Sequence, residues 1–260
     1  MTEVTSPAAY VPCGGESWRD PWPMYAALRD HDPVHHVERG DHWVLSRYED
    51  VLAAFRDPER FSSAQGLTPV QDDMAAIGID EARPIVMLDP PEHTEFRRLV
   101  AKGFTPRRVE DVEPEVRAFV VERLERLGGA GRVDVVAELF APLPNMAVAH
   151  YLGVPEEDRA LFGRWTEAIV AANAEGNVFR ASEAVTEMFG YFTELIEWRR
   201  EHPGEDTVSD LVALGEDTVT LLQILGFAFT MVTGGNDTTS GLLAGSAELL
   251  TERPDQRARL

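Results

Sequence analysis

The stretch Gly234-Gly235-Asn236-Asp237-Thr238-Thr239-Ser240-Gly241 breaks into a long apolar run near the C-terminal end of the chain. Upstream, Val219 to Val232 is interrupted only by Thr220, Gln223, Gly226 and Thr230; downstream come Leu242-Leu243-Ala244 and Ala247-Glu248-Leu249-Leu250. A glycine pair followed by an acid and two alcohols is poor material for a buried helix. A phosphate loop is excluded, because the Walker pattern needs a preceding strand and a lysine. Two readings stay open. One is a turn between two helices, since Gly-Gly-Asn-Asp is strong turn chemistry. The other is a continuous helix with a local distortion, in which a Thr hydroxyl bonds back to a carbonyl four residues earlier. A helix apolar nearly all round from Leu221 to Val232 must be buried, so this second reading puts Asp237 and Thr238 deep in the core. There an acid beside an alcohol suits a proton relay.

A second segment, Asp89-Pro90-Pro91-Glu92-His93-Thr94-Glu95-Phe96-Arg97-Arg98, has the form of a helix start. Asp89 is placed to cap free N–H groups, proline suits the first helical position, and Glu92 falls three residues after the cap. His93 and Arg97 then stand four apart on one face, where two donors able to carry positive charge can grip a carboxylate or phosphate. A solvated face with Arg97 paired to a glutamate accounts for the same spacing.

Around these segments the chain reads as mainly α with a small N-terminal β component. Tyr25 to Arg29 suits a short helix behind Pro21 and Pro23, and Val34–Val37 with His42–Leu45 suit a hairpin. Ser46-Arg47-Tyr48-Glu49 has capping-box form ahead of Val51–Phe55. From Phe61 to Leu88 no period is sustained, as expected of a functional or mobile loop. Helical signals then cover 90–102, 106–127, 138–151, 156–173, 180–201 and 218–250, with breaks at Gly128-Gly129, Gly153-Val154-Pro155, Glu175-Gly176-Asn177 and His202-Pro203-Gly204. Arg132 to Val136 suits a short strand.

The 260 residues suffice for one large domain, and 44% hydrophobic with 27% charged residues is ordinary globular composition. A net charge of −21 argues against nucleic acid and against an anionic membrane. The N-terminus has no signal-peptide form, and Val219–Val232 is too short to span a bilayer, so a soluble cytoplasmic protein is expected. Cys13 is the only cysteine, which excludes an internal disulfide and a cysteine-rich zinc site; Lys102 is the only lysine, a sign of a GC-rich bacterial source. A carboxylate-bridged metal bundle would need Glu-x-x-His pairs on several helices, and these are missing.

In this order and separation, the two segments resemble the cytochrome P450 superfamily of haem-thiolate monooxygenases. Its C helix has the form D-P-P-x-H-x-x-x-R, matched by Asp89, Pro90, Pro91, His93 and Arg97. Its I helix carries [AG]-G-x-[DE]-T-[TS], matched by Gly234, Gly235, Asn236, Asp237, Thr238 and Thr239. The resemblance implies a cytochrome P450-like fold, with haem b as cofactor of the full-length protein. His93 and Arg97 would bond the haem propionates, and Gly234 and Gly235 would leave room for dioxygen. Thr238 would support dioxygen at the haem, and Asp237 would help feed protons for O–O cleavage. Val86, Met87, Leu88, Thr230 and Thr233 would line a pocket for a small hydrophobic substrate, with Ile169 to Ala174 as its roof. Two electrons would come from a ferredoxin-type donor docking at Arg98, Lys102, Arg107 and Arg108, as in soluble bacterial relatives.

The family continues past the I helix into an E-x-x-R pair and the cysteine loop that ligates iron, and this chain stops at Leu260. Residues 1–20, polar and rich in Gly and Pro, are expected to be a flexible arm, and 21–260 the N-terminal portion of a single, truncated P450 domain. No metal ligand is assigned within it. Such a chain is expected to be inactive alone. The alternative is a non-catalytic helical binding or interaction protein derived from a truncated monooxygenase.

Overall fold

Local sequence signals account for most elements of the computed structural model, which describes residues 10–11, 20–38, 40–66, 79, 81–174 and 178–260. Behind Pro21, helix α1 (Trp22–His31) leads into an antiparallel hairpin, β1 (Val34–Val37) and β2 (His42–Leu45), paired from Val34↔Leu45 to Val37↔His42. Helix α2 (Tyr48–Phe55) follows. After the long loop come a 3₁₀ turn (Ile85–Met87), α3 (Glu92–Val100), α4 (Pro106–Leu127) and α5 (Pro142–Leu152). The chain closes with α6 (Arg159–Ala174), α7 (Ser182–Glu201), α8 (Thr207–Val212), α9 (Leu221–Glu252) and the short α10 (Pro254–Arg257). The mainly α class with its small hairpin is as expected from the sequence. Most of the expected N-terminal arm, Cys13, much of the long loop and the break at Glu175-Gly176-Asn177 lie outside the described residues.

Three local expectations need correction, each because a side chain found another partner, and one helix was not expected at all. Ser46 does not cap α2; its hydroxyl donates to the Pro33 carbonyl at 3.3 Å, tying the two ends of the hairpin together. Asp89 does not cap α3, which starts at Glu92 with Pro91 before it. Its carboxylate instead accepts from the Ser62 hydroxyl and, at 2.9 Å, from the Ser63 amide. The Ser62 bond in particular holds the Asp89 carboxyl below the usual carboxylate range. Arg132–Val136 forms no strand: Asp134 accepts from the amides of Val136 and Ala137 at 3.1 Å each and turns the chain into a π-helical turn, Val136–Phe140. Helix α8 was not anticipated. Asp206 starts it, accepting from the Ser209 amide at 2.8 Å.

The apolar run and the Gly-Gly-Asn-Asp-Thr-Thr stretch form one uninterrupted helix, α9, and this removes the turn reading. Thr220 and Gln223 close a capping box at its start. Its first half is buried against α5, α6 and α7 through residues such as Phe227, Ala228 and Val232. Gly226 lets the loop come down onto it, since a Cβ there would stand 2.7 Å from the Ala82 carbonyl oxygen. That approach seats the Ile85–Met87 turn on α9. Helix α3 reaches the same surface through Phe96, whose ring meets Phe227 edge-on at 6.4 Å.

Candidate functional site

Successive residues of a helix point about 100° apart, so a buried face and an open face can be neighbours in sequence. The second half of α9 is built this way. Its packed face is keyed at three levels. A Cβ on Gly235 would lie 2.7 Å from Val148 of α5. Asn236 is only 2% exposed, and its amide donates to the Thr166 hydroxyl of α6 at 3.1 Å. One turn on, the Ser240 hydroxyl lies 3.1 Å from the Phe140 carbonyl oxygen. These contacts set the rotation of α9 about its own axis.

The other face carries Gly234, Asp237 and Thr238, all exposed. The expectation that Asp237 and Thr238 lie deep in the core is therefore wrong: Asn236 takes the buried position, and its two successors turn outward. A Cβ on Gly234 would meet nothing among the described residues within 4 Å. The Thr238 hydroxyl donates to the Gly234 carbonyl at 2.6 Å, the back-bond anticipated from the spacing. Asp237 has no side-chain partner among the described residues.

On α3, His93 is half-buried and Arg97 exposed, and neither side chain has a partner among the described residues. Two uncommitted donors on one face, an imidazole and a guanidinium, can receive two carboxylates. The Phe96–Phe227 contact fastens α3 to α9, and Gly234 lies seven residues beyond Phe227, about 10 Å further along nearly the same face.

The expected pocket residues divide. Val86 is half-exposed, Thr230 and Thr233 are half-buried, and Met87, Leu88 and Ile169 are buried in the core. The hydroxyls of Thr230 and Thr233 donate to the Gly226 and Phe229 carbonyls at 2.9 and 2.8 Å. Among the cations singled out, Arg98, Lys102 and Arg107 are exposed without partners among the described residues, while Arg108 pairs with Asp210 at 2.7 Å. Sequence reasoning missed Thr166, Asn236 and Ser240. An amide-bearing residue inside an apolar helix was the available signal for Asn236.

No family model matches the chain. Curated relatives do. The chain is 59% identical over 255 residues to cytochrome P450 130 of Mycobacterium tuberculosis, covering 94% of this chain and 63% of that one. It is 37% identical over 251 residues to the cytochrome P450 monooxygenase PikC of Streptomyces venezuelae, covering 93% and 58%. It thus spans less than two thirds of these relatives. Among solved structures, epothilone D-bound cytochrome P450epoK superposes with a TM-score of 0.84 at 27% identity, covering 95% of this chain and 65% of that one.

Proposed function

Because this chain is homologous to the bacterial cytochromes P450 and shares their fold, we propose that it forms the oxygen-handling part of a haem-dependent monooxygenase. The substrate is a small hydrophobic molecule, hydroxylated with O2 and two electrons from a redox partner. Haem b is the cofactor of that family, and the residues here fit it: two uncommitted donors on α3 suit its propionates, and open space lies at Gly234. The observation that carries the reading is Gly234 itself. A glycine inside a helix costs about 1 kcal/mol relative to alanine; Gly190, Gly241 and Gly245 also meet nothing among the described residues, and what sets Gly234 apart is the Thr238 hydroxyl on its carbonyl with Asp237 on the same exposed face.

When bound, haem supplies the dioxygen and redox chemistry that side chains lack. His93 and Arg97 would donate to its propionates and so orient it, and Gly234 would leave room beside it. Asp237 and Thr238 would form the proton-transfer pair, with Thr238 Oγ1 held on the Gly234 carbonyl and Asp237 on the same exposed face. Thr230, Thr233 and Val86 face the substrate. The only cysteine, Cys13, lies far upstream of α9, so the axial thiolate that tunes haem reactivity is not supplied from the family's position. The 260-residue chain alone is accordingly inactive. We place it in a bacterial cytoplasm.

Haem titration of the purified chain tests this. Saturable binding is expected, weakened about tenfold by removing either donor with His93→Ala or Arg97→Ala, the worth of one charge-assisted hydrogen bond. The carbon monoxide difference spectrum should lack a thiolate Soret band; its presence would overturn the inactivity. An acidic ferredoxin docks at Arg98, Lys102 and Arg107. Charge reversal at Arg98 and Lys102 in a full-length protein slows its reduction, and unchanged kinetics reject that surface.

A further inference from the structure

A cavity of about 330 Å³ lies where the end of α3, the start of α4 and α8 meet. None of its lining residues lies on α9. Leu99, Leu211 and Leu214 form its apolar wall, and Lys102, Arg108, Asp210 and Thr207 supply its polar groups. Mostly apolar walls with a few polar groups, at a volume near 300 Å³ or above, characterise small-molecule sites.

The polar groups are unequally committed. Asp210 is bound to Arg108 Nη1 at 2.7 Å, which offsets its charge and leaves other guanidinium N–H groups free. Lys102 is exposed and has no partner among the described residues. The lining therefore carries one net positive charge: two cations against one carboxylate. Thr207 closes the floor of the cavity: it is 1% exposed, and its hydroxyl is packed beneath Gly103, where a Cβ would stand 2.7 Å from it.

We propose that this cavity binds a small organic monoanion: a carboxylate held by Lys102 and Arg108, with its apolar body on Leu99, Leu211 and Leu214. A dianion such as inorganic phosphate meets the Asp210 carboxylate and gains nothing from the leucines. A neutral analogue leaves Lys102 unused.

Calorimetric titration of the 260-residue chain with benzoate, benzyl alcohol and inorganic phosphate tests this without haem, so its outcome is independent of the haem reading. One saturable benzoate site is expected, weakened about tenfold by Lys102→Gln. No saturable benzoate binding, unchanged affinity in Lys102→Gln, or phosphate binding as tight as benzoate overturns it. Lys102, the only lysine, gives a second measurement. Its acetylation adds a single lysine-located mass step, which benzoate slows and benzyl alcohol does not. A rate indifferent to benzoate also overturns the proposal.

Discussion

Adjacent glycines on α9 differ in what holds them there. Gly235 is kept by packing, since a Cβ would press on Val148 at 2.7 Å, whereas Gly234 faces nothing among the described residues within 4 Å. Gly234→Ala is expected to stabilise the chain by up to about 1 kcal/mol through helix propensity. Gly235→Ala gains the same propensity but must displace Val148, so it comes out neutral or destabilising. Urea unfolding followed by circular dichroism separates them; equal effects would show that the two faces are not distinct. The motif was legible residue by residue, and the Thr238 back-bond followed from its spacing. The depth of Asp237 was not. An apolar run announces burial for a whole helix, yet only Asn236 turns toward Thr166 at this level. Asp89 misled for a related reason: its partners Ser62 and Ser63 are distant in sequence, and a local capping pattern cannot reveal them.

Among the elements, α8 depends most on side-chain chemistry, because six residues cannot hold a helix by propensity alone. Asp206 is 4% exposed, accepts from Ser209 twice, and pairs with Arg199 of α7 at 3.0 Å. Arg199 also donates to the Gly153 carbonyl at 2.8 Å, where a φ of +70° lets α5 end in the left-handed conformation. One acid thus joins α5, α7 and α8. Asp206→Ala leaves the Arg199 cation buried and unpaired and is expected to cost about 3–5 kcal/mol. Arg200, next in sequence, pairs with the exposed Glu216, and Arg200→Ala should cost below about 1 kcal/mol. Chemical denaturation of both variants reads the contrast, and similar losses would refute it. Helix lengths were readable from periodicity, as Pro106–Leu127 shows. The short α8 was not, because its polar Thr207 and Ser209 are buried by partners outside the segment.

Across the whole molecule, a net charge of −21 coexists with exposed apolar side chains, among them Val121 and Leu124 on α4 and Leu242 and Leu249 on α9. Charge repulsion keeps such surfaces apart at low ionic strength, and salt shortens its reach to about 10 Å at 0.1 M. Self-association should therefore increase as salt is added, as sedimentation velocity can measure; a salt-independent monomer would show that these side chains form no adhesive surface. Through the centre runs α9, 32 residues and about 48 Å long. Hydroxyls of Thr230, Thr233, Thr238 and Ser240 each reach a carbonyl four residues earlier, giving those oxygens a second donor. Back-bonding of this kind loosens and bends helices slightly. As a mechanical member, then, α9 is a strut of uneven stiffness. It is most compliant between Thr230 and Ser240, and a load arriving from either end is taken up as curvature there.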